Sequence, residues 1–269
     1  MNKKKGLSSR AKDKQELRQQ LDEELTEVIE NPNPIKRQVR IKQFPWSDKQ
    51  KEFFKLALDP NVNVLFVKGP AGTSKTLLSV YCALQLLNKR MISDIMYLRS
   101  AVESSAHSLG YLPGSAEDKL RFYNLPFLDK LDELLAETRV EKLESEGRVS
   151  MFPVNFARGM NWTSKCIILD EAQNSTEKEI TTVLTRMGKH SRCFILADPM
   201  QTDIKNDRIS GGFSTMYKTF SDEESKEHGV YTFEFTEEDI MRSELVKFLI
   251  TKLNERKEYN NDMVWRPSG

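Results

Sequence analysis

Cysteine and histidine are scarce in this chain, three of each among 269 residues, and neither type clusters. Cys82, Cys166 and Cys193 sit far apart inside apolar stretches, with no CxxC pair and an odd count. That pattern excludes the disulfide framework of a small secreted fold and a cysteine-ligated zinc site, and it reads as buried thiols in a reducing compartment. His107, His190 and His228 are too scattered to share a metal. An excess of one charge is also missing: 41 lysines and arginines stand against 40 acidic residues, so any nucleic-acid surface must be local. No apolar run approaches the roughly 20 residues that cross a bilayer. The opening "MNKKKGLSSRAKDK" carries charge with no apolar stretch behind it, which is not a secretory signal. A cytoplasmic protein with no membrane partner is expected. There is neither an internal repeat nor a long low-complexity tract.

What is present is ordinary for a globular protein, 38% apolar and 30% charged residues, enough for one main domain. Residues 1–43 differ from the rest. They carry basic clusters, a narrow apolar stripe (Leu17, Leu21, Leu25, Val28, Ile29) at helical spacing, and the breaker "NPNP". The reading is a basic arm with one amphipathic helix that needs a surface to dock on, followed by a core over 44–257 and a tail over 258–269. Within the core, "NVNVLFV", "DIMYL", "KCIILD" and "RCFILAD" are short apolar runs of the buried parallel-strand type. Helical patterns separate several of them: Thr76 to Lys89, "FLDKLDELLAETRVEKLES" and "TEKEITTVLTRMG". "VYTFEF" adds a strand, with a helix expected from about Glu237 to Arg256. This alternation predicts an α/β fold, a mostly parallel sheet with helices on both faces.

The chemistry concentrates at three strand ends. "GPAGTSKT" follows an apolar strand and opens an apolar helix, placing Gly69, Pro70, Ala71, Gly72, Thr73, Ser74, Lys75 and Thr76 as a phosphate cradle. Its backbone N–H groups face the phosphates, Lys75 reaches the outer ones, and the Thr76 hydroxyl suits a magnesium shell. Ser74 departs from the usual second glycine, and a small polar residue there is expected to keep the cradle intact. "CIILDEAQNST" sets an acidic pair at the tip of a second buried strand, where open α/β sheets bind ligands. Asp170 is expected in the magnesium shell and Glu171 beside the attacking water. "CFILADPMQTD" runs a third strand into Asp198 and then Gln201, an amide suited to sensing a γ-phosphate. A turn built by Asp-Pro accounts for the same residues without a function.

The sequence resembles the PhoH-like ATPases, P-loop proteins with a core similar to superfamily 1 helicases. The matching pieces are "FVKGPAGTSKT", "RSAVESSAHSLGYLPGSAEDKL", "NFARGMNW", "IILDEAQNST", "LTRMGKHSRCFILADPMQTD", "SGGF" and "DIMRSELV", which together span Gln43 to about Leu253. The short form looks like versions carried by bacteriophages. The resemblance implies a RecA-like P-loop core, ATP and magnesium as cofactors, and a homo-oligomer such as a hexameric ring. It assigns adenine reading to Gln50, and nucleic-acid or interface contacts to Arg99 and Arg158. To Arg186 and Arg242 it assigns stabilisation of the transferring phosphate, within the chain or from a neighbouring subunit. Ser100 and Ala197 also depart from the residues common there, a proline and a glycine.

The leading expectation is therefore ATP hydrolysis coupled to RNA or single-stranded DNA, as a helicase-like motor or a clamp. The basic residues before the core (Lys36, Arg37, Arg40, Lys42) favour a nucleic-acid partner. Two alternatives stay open: a nucleotide-dependent assembly or regulatory protein with slow turnover, and a small phosphotransferase. The second is disfavoured by a water-activating Glu171 next to Asp170.

Overall fold

The computed structural model describes residues 38–99, 116–154, 161–201, 212–249 and 251–252, with side-chain surroundings in its long helix described from Asn124 onward. The predicted N-terminal helix, Lys36, Arg37, Ser100, His107, Arg158 and the C-terminal tail lie outside these residues.

Strands β1 (Val64–Lys68), β2 (Asp94–Arg99), β3 (Val149–Pro153), β4 (Lys165–Asp170), β5 (Arg192–Ala197) and β6 (Val230–Glu234) form one sheet in the order β3-β2-β4-β5-β1-β6. Every pairing is parallel. Helices α1 (Asp48–Ala57), α2 (Lys75–Asn88), α3 (Ala116–Leu134), α4 (Val140–Ser145), α5 (Glu177–Leu184), α6 (Gly212–Thr219) and α7 (Glu223–Glu227) connect and cover it. Side chains of a strand alternate between faces, so each strand feeds two cores. Leu65, Val67, Ile95, Tyr97, Ile168 and Leu196 pack with α1, α2, α3 and α4 on one face. Phe66, Leu98, Ile167, Leu169 and Ile195 pack with Ile180 and Val183 of α5 and Phe213 of α6 on the other. Burial on both faces explains why these strands read as continuous apolar runs in the sequence. Because all strands run the same way, Lys68, Ala197, Asp170 and Arg99 end at one edge, with Lys68 paired to Ala197 and Arg99 to Asp170.

Cys82, Cys166 and Cys193 are fully buried free thiols, and burial raises the last to a pKa of about 12. No helix among the described residues is long and apolar enough to cross a membrane.

Four expectations are revised. The helix read over Phe127 to Ser145 is two helices, α3 and α4. Between them the backbone is taken by residues 40–42: Lys42 N–H donates to the Leu134 carbonyl (2.8 Å) and Ala136 N–H to that of Arg40 (3.0 Å). Residues placed in the arm by the sequence thus pack on the core, with Val39 buried and clamped through both its backbone groups by the Asn88 amide (2.7 and 2.8 Å). The helix expected from Glu237 is a single turn, Glu237–Asp239, closed by a Thr236/Asp239 capping box; an extended stretch follows before a helix over 244–249. Strand β3 was missed because it is half exposed and ends in Pro153, a pattern tolerated at a sheet edge.

Candidate nucleotide-binding site

The C-terminal edge of the sheet opens into a cleft of about 500 Å³. Its floor is the loop between β1 and α2. The loop turns through two left-handed residues, Gly72 (φ 85°) and Ser74 (φ 62°), and α2 begins directly after Ser74. That conformation is the reason a second glycine is favoured here, and Ser74 adopts it despite its Cβ. The Thr73 hydroxyl donates to the Pro70 carbonyl (2.9 Å), and Lys75 Nζ reaches the carbonyls of Gly69 (2.7 Å) and Pro70 (2.9 Å). Burial lowers the Lys75 pKa, opposed by Asp198, Asp170 and Glu171.

Two carboxylates flank the loop. Asp170, at the tip of β4, accepts hydrogen bonds at Oδ2 from the Thr76 hydroxyl (3.0 Å) and the Tyr97 hydroxyl (2.9 Å), and at Oδ1 from Glu171 N–H (3.0 Å). Burial, then the neighbouring Glu171, raises its pKa above the usual carboxylate value, against those hydrogen bonds. A hydroxyl and a buried carboxylate side by side form the oxygen donor set that a hard divalent cation takes, so Thr76 and Asp170 fit magnesium. Asp198, at the tip of β5, accepts from the backbone of Met200 (3.1 Å) and of Ala71, which ties this strand end to the loop; burial raises its pKa, with Lys75 opposing.

Glu171 also sits in the left-handed region (φ 54°), which turns its side chain back into the cleft. Non-glycine residues held there store strain of roughly 1–3 kcal/mol, a feature that gathers at functional sites. Gln173 holds it in place, donating from Nε2 to Glu171 Oε2 (2.6 Å) and accepting from Asp198 N–H at Oε1 (3.1 Å). Across the mouth, Met241 N–H donates to the Gly72 carbonyl (2.9 Å) and brings Arg242 into the lining. A Cβ on Gly72 would lie 3.0 Å from Arg242 Cγ.

Of the sequence-predicted residues, Gln50, Ala71, Gly72, Ser74, Lys75, Thr76, Asp170, Glu171, Gln201 and Arg242 line this cleft. Gln50 is buried and closes the capping box of α1 by accepting from Ser47 N–H (2.9 Å), rather than standing exposed on the helix. Arg99 lies at the rim with Nη2 3.9 Å from Glu171 Oε1. Arg186 is not brought to the cleft; it sits in the turn after α5, its backbone paired with Val183 and Trp162.

The sequence of residues 43–254 matches the family described as "PhoH-like protein". The chain belongs to the PhoH-like family. It is 32% identical over 230 residues to the PhoH-like protein of Synechocystis, covering 86% of this chain and 66% of the relative. With the PhoH-like protein of Bacillus subtilis it shares 32% over 188 residues, 70% of this chain and 57% of the relative. The chain thus spans less than two thirds of these relatives. Among solved structures, the large terminase of a thermophilic bacteriophage is similar at 12% identity and a TM-score of 0.48, covering 76% of this chain and 49% of that one. A Pif1 helicase from Candida albicans follows at 15%, 0.37, 72% and 40%. Its fold is an α/β fold, a six-stranded parallel sheet with helices on both faces.

Reading the PhoH-like sequence alone missed Gln173, Tyr97 and the aromatic wall formed by Phe44 and Trp46 beside Gln50. Gln173 had a signal, two positions after Glu171 in the quoted motif. Tyr97 had none, because a tyrosine inside an apolar strand reads as core.

Proposed function

We propose that this PhoH-like chain hydrolyses ATP with magnesium and couples hydrolysis to RNA or single-stranded DNA, as a helicase-like motor or clamp. The observation that carries the reading is the cluster of Lys75, Thr76, Asp170 and Glu171 around one loop, gathered from the start of α2 and the tip of β4. Thr76 and Asp170 would hold magnesium, which would supply charge neutralisation for the phosphates. The loop N–H groups and Lys75 bind the phosphate chain. Glu171 orients the attacking water and accepts its proton, Gln173 keeping the carboxylate aimed. Gln201 faces the outer phosphate, and Arg242 stabilises developing charge from within the same chain. Phe44, Trp46 and Gln50 form the end of the cleft suited to adenine.

Arg99 supports the link to nucleic acid. It shares the rim with Glu171, so a phosphodiester that draws Arg99 away changes the environment of the water-activating carboxylate. The basic residues before the core support it less than expected, since Arg40 pairs with Glu137 and Lys42 with the Asp132 carbonyl. Exposed apolar residues on the helix over 244–249, Leu245 (67% exposed) and Phe248 (57%), support an assembly of like chains, with a ring as its form.

Magnesium-dependent phosphate release from ATP, measured with and without single-stranded RNA or DNA, tests the reading. Turnover that rises with nucleic acid is expected. A near-zero rate despite tight ATP binding would reduce the protein to a nucleotide-dependent switch.

A further inference from the structure

The opposite edge of the sheet holds a second cleft, of about 900 Å³, lined by Arg90, Lys189, His190 and Arg192 together with Asn63 and Ser164. These residues come from the loops that enter β1, β2, β4 and β5, with Arg192 the first residue of β5 itself. Strands of five or six residues at about 3.3 Å each put it roughly 17–20 Å from the nucleotide cleft. No carboxylate lines it, and among the described residues none of its four basic side chains has an ion pair.

Arg192 is the decisive member. It is only 5% exposed, and the hydrogen bond made by its guanidinium is from Nη1 to the Asp59 backbone carbonyl (2.6 Å). Burial lowers its pKa, opposed by Cys166 and Asp59. A buried guanidinium without a paired anion is costly to hold. A bound anion would offset that cost. Backbone strain points the same way. Five described non-glycine residues have left-handed φ: Ser74 and Glu171 border the nucleotide cleft, and Arg90 (57°), Ser164 (55°) and His190 (59°) line this one. Arg90 ends α2, where a left-handed residue is usually glycine or asparagine. A helix end accounts for one basic residue, not for four around a shared cleft.

We infer that this cleft is a second anion site, which takes a run of phosphoryl groups, as a single-stranded nucleic acid or a free polyphosphate presents. The room exceeds what one phosphate fills, and a buried planar fork flanked by three exposed basic side chains suits several phosphoryl oxygens. The inference does not depend on ATP hydrolysis.

The test uses the full chain carrying Lys75→Ala, so that the nucleotide loop does not compete for phosphates. Binding of a labelled 12-residue oligouridylate is read by anisotropy, and of tripolyphosphate by calorimetry. Adding Arg90→Glu with Lys189→Glu, both exposed positions, is expected to weaken binding at least tenfold. For the oligonucleotide the slope of log affinity on log salt should fall by about 1.4, the contribution of two phosphate contacts on a single strand. Loss for the oligonucleotide assigns a nucleic-acid backbone, and loss for tripolyphosphate alone assigns a free anion. A charge-matched control, Lys142→Glu with Lys226→Glu, should leave both unchanged. The inference is overturned when neither ligand responds to the cleft variant, when neither binds the Lys75→Ala chain, or when the control weakens binding equally.

Discussion

Ser74 and Glu171 are held in the same unusual backbone region, for different reasons. At Ser74 the left-handed turn leads the loop directly into α2, and the serine Cβ makes that turn cost roughly 1–2 kcal/mol. Ser74→Gly is expected to raise the melting temperature by about 2–4 °C, the shift that 1 kcal/mol produces in a domain of this size, while keeping turnover. Thermal unfolding and phosphate release on the same preparation check it. Asp170 carries a pH prediction. Its folded pKa is raised above 3.8, so its contribution to stability is fully present below that value and is lost as pH rises through the folded pKa. Only the ionised form attracts a cation. Magnesium at a hundredfold excess over its Kd should therefore stabilise the protein by about 3 kcal/mol at pH 8. The gain should fade on acidification at a pH above that of an ordinary aspartate, and Asp170→Asn should abolish it. That these residues would meet in one cleft was legible in the sequence, because each follows directly on an apolar strand and parallel strands end at one edge. The left-handed φ of Glu171 was not, since nothing local requires it.

Elements bring these residues together, and here the sequence was only partly readable. Apolar strands and the long α2 stand out because burial on all sides leaves a continuous signal. The breaks after Leu134 and Asp239 were invisible, because distant backbone partners cause them: residues 40–42 in one case and the Gly72 carbonyl in the other. The second break matters for function. It lays Arg242 over its own chain's loop, so an Arg242→Ala chain mixed with a Glu171→Gln chain should regain no hydrolysis. An arginine supplied from a neighbouring subunit would let the mixture recover part of the activity. Gly212 shows why "SGGF" carries a glycine directly before its phenylalanine: a Cβ at 212 would fall 2.2 Å from Glu177 N, where α6 meets α5. Gln173 links the tips of β4 and β5. Gln173→Met keeps the volume but removes both hydrogen bonds, and is expected to lower kcat about tenfold with little change in KM. A proportional rise in KM would make Gln173 a binding group instead.

At the scale of the whole molecule, a parallel sheet separates two ends, one with Lys75, Asp170 and Glu171 gathered around the β1–α2 loop and proposed for nucleotide and metal, the other lined by basic residues without a carboxylate. The exposed side chains of Leu245 and Phe248 add a third surface. Replacing both with glutamate should dissociate the proposed assembly, seen by sedimentation velocity, without unfolding the core. The central claim is that Glu171 activates water in a working ATP site. The most direct test compares ATP binding and phosphate release for the native chain and for Glu171→Gln. The account predicts unchanged nucleotide affinity and a loss of turnover of about 10²- to 10⁴-fold in the variant. Hydrolysis at the native rate by Glu171→Gln would contradict it.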